Sequence, residues 1–591
     1  MRFKSLILQF LSLSSLSHST SIQARTQPVA TITNGTLIGT RNSHYKQDFF
    51  LGIPYAQPPV GDLRFNQPQT INQSWSEKQA TAYGPWCHSL PLTLPGYTQT
   101  GFEHEESEDC LTLNVIRPSG VSDNASLPVL VWIYGGGFSE GGSADQRYNM
   151  SFLIQESVKM GQPTIGVSFN YRLSGFGFLQ GRAVNESGAA NIGLYDQRLA
   201  LHWIQENIMA FGGDPSRVTI QGESAGAVSV GHHFLAYGGR DDGLFHAGIA
   251  ESGGPLTTRA LISLDEQDVL YNRVLNSTNC TGEDDTLQCL RSVPVDALKA
   301  AFEGVGFYPV MDGGIITNTP SIALRDGRFV KRPLLIGANT NEGAAFSYSR
   351  GRGLNTSADF RNMIVQYSGN KVIKNSTLEY LVDQYLNRLS PKVAQAQLGS
   401  VLLSPSPEFG RLWGKVTLYA GDYQFNAGRR YTTQKWAQYG VPSYSYRFDA
   451  VPNGIPRETM GATHFQEVSF VFKNFDGDGY QVNPLESNST ELQQSYHDLS
   501  TLMSQMWLNF ANTLTPNGHQ SKLTLTPNNP FVADYFANFA IDLKANVTWP
   551  VYRNGNGTNI VFHLNGTYLE PDNWRANAIR RLIGSLHEFK L

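Results

Sequence analysis

The chain has 591 residues, of which 40% are hydrophobic and 11% aromatic, and this composition is ample for a large buried core. Its 45 basic and 49 acidic residues give a formal net charge of −4, which argues against nucleic acid as the main partner. No internal repeat or low-complexity linker divides the chain after its first 24 residues. We therefore predict one large domain over residues 25–591.

The first 24 residues have the pattern of a secretory signal peptide. Arg2 and Lys4 precede an apolar run at 6–16, and small polar residues follow up to Ala24. The run is too short to cross a bilayer. Cleavage after Ser19 or after Ala24 fits the pattern equally well, and the polar C-terminus at 584–591 argues against a lipid anchor. The pattern predicts a secreted, extracellular protein with no stable membrane anchor.

Glycosylation acceptors agree with export. So many Asn-X-Ser/Thr triplets indicate a glycosylated surface, although some must arise by chance in a polar chain. The chain contains thirteen, at Asn34, Asn72, Asn124, Asn149, Asn185, Asn276, Asn279, Asn355, Asn375, Asn488, Asn546, Asn556 and Asn565.

Four cysteines form an even set that allows three pairings. Loop closure favours local partners, so we predict the disulfides Cys87–Cys110 and Cys280–Cys289. A zinc site is the competing interpretation, but the cysteines have no C-x-x-C spacing.

Apolar runs and a helical pattern alternate along the chain. The helical spacing covers residues 195–210, and strand–helix–strand alternation predicts an α/β fold with a mostly parallel sheet covered by helices on both faces. Active sites in such sheets lie at the carboxyl ends of the strands. The runs that indicate buried strands are 127–134 (LPVLVWIY), 163–169, 218–221 and 333–337.

The pattern G-x-S-x-G occurs twice, and its context separates the two copies. Ser224, in GESAG at 222–226, follows the strand-like run 218–221 and precedes a plausible helix. A strand–turn–helix is what a nucleophile elbow requires, because the tight turn exposes the serine hydroxyl. Ser139, in GFSEG, runs into further glycines, which are a poor start for a helix. We therefore predict Ser224 as a nucleophile and Ser139 as a loop serine.

A glycine run follows the first predicted strand. In YGGGF, at 134–138, several backbone N–H groups can turn toward one point, as an oxyanion hole needs. The hydrolase scheme adds one donor from the residue after the nucleophile. The amides of Gly136, Gly137 and Ala225 fit this description. A plain glycine-rich turn is the alternative.

Together these motifs resemble the type-B carboxylesterase/lipase family, which includes fungal extracellular lipases, animal carboxylesterases and cholinesterases. The resemblance covers nearly the whole chain after the leader, and it implies an α/β-hydrolase fold and a serine carboxylic-ester hydrolase that acts through an acyl-enzyme on a small-molecule ester. It rests on LGIPYAQPPVGDLRF (51–65), SEDCLTLNV (107–115), WIYGGGF (132–138), FNYRLSGFGFL (169–179), and the stretch from NIGLYDQRLALHWIQENI (191–208) through GESAGA (222–227).

The triad partners of the family follow in the order Ser, acid, His. Of the five histidines beyond the middle of the chain, only His464 lies in a glycine-flanked loop after a strand-like run, at 442–448, and before an apolar segment, 465–472, that we predict to be helical. The alternatives are His497, His519, His563 and His587. Glu342 follows the strand 333–337 in GANTNEG, which resembles the segment that carries the family's acid. A solvated turn carboxylate is the alternative for Glu342.

The resemblance also implies supporting residues. Glu467 and Ser252 match positions that support the histidine loop, and the pairs Arg64–Glu108 and Arg172–Asp196 match internal salt bridges. The mechanism calls for no cofactor and no metal. The segment 474–479 resembles the start of a calcium loop, but position twelve is Leu485 and not the closing glutamate.

Three rival functions remain open. A non-catalytic binding protein on this scaffold would be expected to have lost the serine or the histidine. A cholinesterase would be expected to carry a tryptophan between Cys87 and Cys110 to hold a quaternary ammonium, and this loop has Tyr97 and Phe102 instead. A true lipase, or an esterase dedicated to one secreted metabolite, differs only in substrate access. The sequence does not define the oligomeric state.

The loop between the first two cysteines bears on that access. Its leucines cluster early, Pro91 and Pro95 interrupt them, and four glutamates follow. Prolines so close together disfavour a helix, and the acidic end gains nothing from burial in lipid. We expect a short, poorly amphipathic lid and a preference for soluble esters.

Overall fold

The computed structural model describes residues 27–98, 103–256, 262–369, 373–517 and 547–589. The predicted signal peptide, Phe102, His519 and the acceptor Asn546 lie outside these ranges.

The described strands, numbered in chain order, form three sheets. They are β1 (Val29–Ile32), β2 (Gly35–Ile38), β3 (Thr40–Asn42), β4 (Gln47–Pro54), β5 (Glu77–Gln79), β6 (Trp86–Cys87), β7 (Glu106–Ser107), β8 (Thr112–Pro118), β9 (Leu127–Ile133), β10 (Ile165–Phe169), β11 (Gly213–Glu223), β12 (Ala247–Glu251), β13 (Leu334–Asn339), β14 (Ser443–Phe448), β15 (Thr558–Phe562) and β16 (Tyr568–Pro571).

The described α-helices are numbered in the same way. They are α1 (Met150–Lys159), α2 (Ser174–Phe178), α3 (Arg182–Glu186), α4 (Ile192–Asn207), α5 (Ala225–Gly239), α6 (Leu264–Thr278), α7 (Thr286–Ser292), α8 (Val295–Phe302), α9 (Pro320–Arg325), α10 (Glu342–Ser347), α11 (Ser357–Tyr367), α12 (Asn375–Val382), α13 (Pro391–Leu398), α14 (Trp413–Gly421), α15 (Ala427–Gln438), α16 (Val468–Val471), α17 (Thr490–Thr513) and α18 (Ala576–Gly584).

An eleven-stranded sheet organises the molecule, in the order β16-β15-β14-β13-β12-β11-β9-β10-β8-β4-β3. The run from β15 to β10 is parallel throughout, and antiparallel strands flank it on both sides. Helices cover both faces, as predicted, and this is the α/β-hydrolase fold. Because β11, β12, β13 and β14 are parallel neighbours, the loops that follow them meet at one edge of the sheet.

The predicted strands are present, and their composition explains their position. In β9 the residues from Val129 to Ile133 are completely buried, which is typical of a central parallel strand covered on both faces. β11 is longer than the predicted 218–221, but its register with β9 shifts between Gly213 and Val218, so regular pairing begins at the predicted position.

Two predicted helices differ at their ends. The helix predicted at 195–210 begins earlier, at Ile192, after Asn191 in a left-handed conformation, and its last turn continues as the 3₁₀ helix Ile208–Phe211. The prediction of a helix over 465–472 is wrong for its first half. Phe465 has a φ of +75°, which a helix cannot contain, and only Val468–Val471 is α-helical.

Both predicted disulfides are present, as Cys87–Cys110 and Cys280–Cys289. The loop inside the first disulfide contains no helix in its described parts, 88–98 and 103–109, as its prolines predict. The salt bridges that the resemblance implied are also present. Arg64 pairs with Glu108 at 2.6 Å, and Arg172 pairs with Asp196 at 2.6 Å.

Candidate active site

Ser224 lies in the turn between β11 and α5. Its backbone has φ 54° and ψ −121°, a combination that is costly for a non-glycine residue and typical of strained functional turns. The turn is held because the Ser224 amide donates a 2.9 Å hydrogen bond to the carbonyl of Glu251, at the end of the neighbouring β12. It is also tightly packed, since a β-carbon on Gly226 would lie 2.0 Å from the Ile133 carbonyl oxygen. The serine hydroxyl therefore projects from a rigid elbow at the carboxyl edge of the sheet.

The structure brings Ser224, His464 and Glu342 together from three separate loops. His464 Nε2 lies 2.8 Å from Ser224 Oγ, and His464 Nδ1 lies 2.7 Å from Glu342 Oε2. The other carboxylate oxygen, Glu342 Oε1, accepts a 2.7 Å hydrogen bond from the Asn339 amide. The side chains of His464 and Glu342 are almost completely buried, and Ser224 is half-buried. The three side chains thus form one hydrogen-bonded chain, an arrangement that suits a nucleophile, its base and an orienting acid.

The glycine loop after β9 lies against the elbow. A β-carbon on Gly135 would lie 3.0 Å from the Ser224 β-carbon. Gly136 and Gly137 have positive φ values of 97° and 65°, which turn their amides away from the strand direction. In the described part of the chain, no residue accepts a hydrogen bond from the amides of Gly136, Gly137 or Ala225. Within the described residues these three amides are unpaired, and free backbone donors are what an oxyanion hole requires.

Ser139, the serine of the second motif, lies in the turn that closes this loop. Its amide donates to the Gly136 carbonyl at 3.0 Å, and its own carbonyl accepts from Leu90. Its environment is therefore that of a backbone-paired turn residue, while His464 pairs with Ser224.

Glu467 and Ser252 contact each other behind the histidine loop. Ser252 Oγ donates to Glu467 Oε1 at 2.7 Å, and Asn339 Nδ2 donates to Glu467 Oε2 at 2.5 Å and to the Thr463 carbonyl at 2.7 Å. Burial, and next the nearby Glu342 charge, raise the pKa of Glu467 to about 7. Glu467 is thus linked through Asn339 to the carbonyl of Thr463, the residue before His464, and within the described residues no hydrogen bond joins it to the imidazole.

Two further buried carboxylates were missed by the sequence analysis. Glu223 Oε1 lies 3.3 Å from His464 Nε2, and burial together with the charges of Glu467 and Glu342 raises its pKa well above the ordinary value. Glu251 accepts hydrogen bonds from Gln221 and Trp507 on one oxygen. Burial raises the pKa of Glu251 to about 8. Glu223 could have been noticed because it lies inside the GESAG motif, whereas Glu251 gave no signal beyond its place beside Ser252.

Aromatic side chains form the wall around the imidazole. The rings of Phe346 and Phe425 each lie 4.9 Å from the His464 ring, and both side chains are half-buried. These two rings give the surface beside His464 an apolar character, which suits contact with the carbon chain of a substrate.

No group of three or more potential metal ligands occurs in the ranges that the structure describes. The segment 474–479 closes on itself, because Asn474 Oδ1 accepts from the Asp478 amide and Asn474 Nδ2 donates to the Asp478 carbonyl. Among the described helices, none is long and apolar enough to cross a membrane.

Comparison with known proteins identifies this chain as a carboxylic ester hydrolase. The chain belongs to the carboxylesterase family, whose model matches residues 26–560. It is 34% identical over 528 residues to Lipase 4 of Diutina rugosa, across 83% of this chain and 87% of that protein. It is 32% identical over 600 residues to Secreted lipase 1 of Botryotinia fuckeliana, across 95% and 94%. The crystal structure of Aspergillus niger EstA is similar with a TM-score of 0.77 at 28% identity, and the match covers 96% of this chain and 99% of EstA.

Proposed function

We propose that this protein is a secreted serine esterase whose catalytic triad is Ser224, His464 and Glu342. The observation that carries the proposal is the hydrogen-bonded chain from Ser224 Oγ through His464 to Glu342, with distances of 2.8 and 2.7 Å. Three amides beside it, of Gly136, Gly137 and Ala225, supply the oxyanion hole.

The geometry supports a two-step reaction. Ser224 Oγ attacks the ester carbonyl carbon while His464 Nε2 takes the hydroxyl proton, and the carbonyl oxygen becomes an oxyanion held by the three amides. The tetrahedral intermediate collapses, His464 gives its proton to the leaving alcohol, and an acyl group remains on Ser224. Water then attacks the acyl-enzyme with His464 as its base, which releases the acid and restores the serine. Glu342 holds the Nδ1–H tautomer throughout and stabilises the imidazolium.

Export of a single domain over residues 25–591 is part of the proposal. None of the twelve glycosylation acceptors in the described ranges is buried, so each can carry a glycan without unfolding. One of the relatives is itself named a secreted lipase.

Substitution of the nucleophile tests the proposal. Ser224→Ala should be exported and folded but should lose at least ~10³-fold of its kcat on p-nitrophenyl acetate, because removing one member disables the whole triad. Ser139→Ala is the matched control and should keep parental turnover. A fluorophosphonate probe should label only the peptide that contains Ser224; turnover near the parental level in Ser224→Ala would refute the assignment.

The relatives named lipases favour a second candidate, a true lipase. We propose the esterase because the loop inside the first disulfide lacks a helix in its described parts and carries Glu103, Glu105, Glu106 and Glu108 at its end. The rate on tributyrin should therefore saturate smoothly below the solubility limit. A sharp rise in rate once droplets form would instead identify a lipase.

A further inference from the structure

Residues 90–98, which we call the canopy, lie over the glycine loop. The Leu90 amide donates to the Ser139 carbonyl at 2.8 Å, and the Leu92 amide donates to Glu140 Oε2 at 2.6 Å. A β-carbon on Gly137 would lie 3.6 Å from Leu92 Cδ2. The Leu92 side chain therefore covers one of the oxyanion glycines.

The far end of the canopy is tied to the histidine loop. Gln466 Nε2 donates to the Gly96 carbonyl at 2.9 Å and to the His464 carbonyl at 3.1 Å. Arg147 Nη1 donates to the Tyr97 carbonyl at 2.6 Å, and its guanidinium stacks 4.7 Å from the Tyr97 ring. The canopy is thus anchored to the glycine loop at one end and to the histidine loop at the other.

The canopy also closes on itself. Thr98 Oγ1 donates to the Leu92 carbonyl at 2.6 Å and accepts from the Leu94 amide at 2.7 Å. Pro91 and Pro95 restrict the backbone of the same segment further. At the Leu92 end, the hydrogen bonds that join the canopy to the glycine loop are those from the Leu90 amide to Ser139 and from the Leu92 amide to Glu140.

One of these anchors is the partly buried carboxylate of Glu140, which accepts the hydrogen bond from the Leu92 amide. Burial raises the pKa of this carboxylate, opposed by the hydrogen bond from the Leu92 amide and by the charge of Arg147. Burying a carboxylate costs free energy unless it is hydrogen-bonded, and a hydrogen bond from an amide to a charged carboxylate is stronger than one to a neutral acceptor.

We propose that Glu140 is a positioning residue that fixes Leu92 over the oxyanion loop and so limits the size of the ester that the site accepts. This inference rests on the proposed esterase function and names its substrate class as short, compact acyl esters. With the Leu92 amide held, the leucine side chain is a fixed wall beside Gly137. Without that bond, the wall moves aside and longer acyl chains fit.

Two substitutions separate the hydrogen bond from the bulk of the side chain. Glu140→Ala removes the acceptor, whereas Glu140→Gln keeps a carbonyl oxygen in the same place. The ratio of kcat/KM for p-nitrophenyl octanoate to that for p-nitrophenyl acetate should rise about tenfold in Glu140→Ala, mainly through a lower KM for octanoate, because a charge-assisted hydrogen bond is lost. Glu140→Gln should stay within about twofold of the parent, since the Leu92 amide keeps an acceptor.

Three controls sharpen the test. Leu92→Ala should change the ratio as Glu140→Ala does, and the double variant should add nothing further, because both remove the same wall. Glu105→Ala, an exposed glutamate on the same disulfide loop, should behave as the parent. If Glu140→Gln matches Glu140→Ala, or if the ratio in Glu140→Ala stays parental, the proposal is wrong.

A second measurement is independent of the esterase reaction. Hydrogen exchange at the Leu92 amide should be slow in the parent and at least about tenfold faster in Glu140→Ala, with little change in Glu140→Gln. Unchanged exchange in Glu140→Ala refutes the anchor even if every ester is turned over. Parental turnover in Ser224→Ala would refute the esterase mechanism, and the exchange rates would still decide whether Glu140 anchors Leu92.

Discussion

The proposed catalytic centre and the canopy are neighbours, because Leu92 packs on Gly137 and Gln466 binds Gly96, but different interactions hold each in place. Ser224 and Glu342 of the proposed centre follow the parallel strands β11 and β13. Glu342 is completely buried, and the Ser224 turn is held by the hydrogen bond from its amide to the Glu251 carbonyl. The canopy belongs to no sheet and is positioned by side chains from elsewhere, chiefly Glu140 and Gln466. We therefore expect single substitutions at the canopy anchors to alter substrate choice without abolishing the chemistry.

The largest expected effect contrasts two buried glutamates within the catalytic centre. Glu342→Gln should lower kcat by about 10³-fold or more, because the amide no longer fixes the His464 tautomer or stabilises the imidazolium. Glu467→Gln should cost about tenfold or less, since this carboxyl only supports the loop through Ser252 and Asn339. Single-turnover kinetics with a p-nitrophenyl ester measure both.

The pH dependence strengthens this contrast. Because the pKa of Glu467 is raised to about 7, the neutral amide imitates the carboxyl better at pH 6 than at pH 8, and the Glu467→Gln defect should shrink at the lower pH. The Glu342→Gln defect should persist at both. A larger loss from Glu467→Gln than from Glu342→Gln, at equal thermal stability, would contradict the assignment of the acid.

Much of the catalytic centre could be predicted because its signals are local. The strand β9, the elbow around Ser224 and the glycine loop each occupy a short run of sequence, and the family resemblance supplied the order in which Glu342 and His464 follow. The canopy anchors could not be predicted in this way. Leu92 and Glu140 are 48 residues apart, and Gly96 and Gln466 are 370 apart, so only the folded chain brings them together.

Local sequence also fails to predict where some helices begin and which acidic residues become buried, because both depend on contacts between distant residues. The apolar run at 465–472 has helical spacing, but the positive φ of Phe465 arises from tertiary contacts around His464 and not from its own preference. Glu251 looks like any other glutamate until the fold buries it beneath Trp507.

The two disulfides test whether the canopy can be disturbed separately from the stability of the whole fold. Replacing either pair with serine should destabilise the protein by about 3 kcal/mol, because the loops they close differ too little in length to separate their entropies. Only the Cys87→Ser/Cys110→Ser pair should also change the octanoate-to-acetate ratio, since only that loop carries the canopy. Thermal unfolding and ester kinetics on the same preparations separate stability from selectivity.

For the disulfides, Cys280→Ser/Cys289→Ser is the matched control and should keep the parental ratio. Its disulfide joins Cys280, just after α6, to Cys289 within α7, and the contacts that anchor the canopy involve none of these residues. If both double variants changed the octanoate-to-acetate ratio equally, the canopy would depend on overall stability and not on the Cys87–Cys110 disulfide.

The remaining prediction concerns stability alone and involves Glu251, whose backbone carbonyl accepts from the Ser224 amide while its side chain is buried. Its pKa is raised from the ordinary 4.5 to about 8, so the folded protein retains a proton that the unfolded chain releases above about pH 4.5. The stability from this group is therefore complete below pH 4.5 and is lost progressively as the pH rises through 8.

Glu251→Gln keeps the acceptor for Gln221 and Trp507 but cannot ionise. The variant should match the parent near pH 4.5 and exceed it increasingly toward pH 8, by ~2–4 kcal/mol at most, or a few degrees in Tm. Differential scanning fluorimetry across this range, at one heating rate, measures the gap. Glu206→Gln, an exposed glutamate on α4, should show no such widening. A gap that is constant with pH would mean that Glu251 is already ionised in the folded protein.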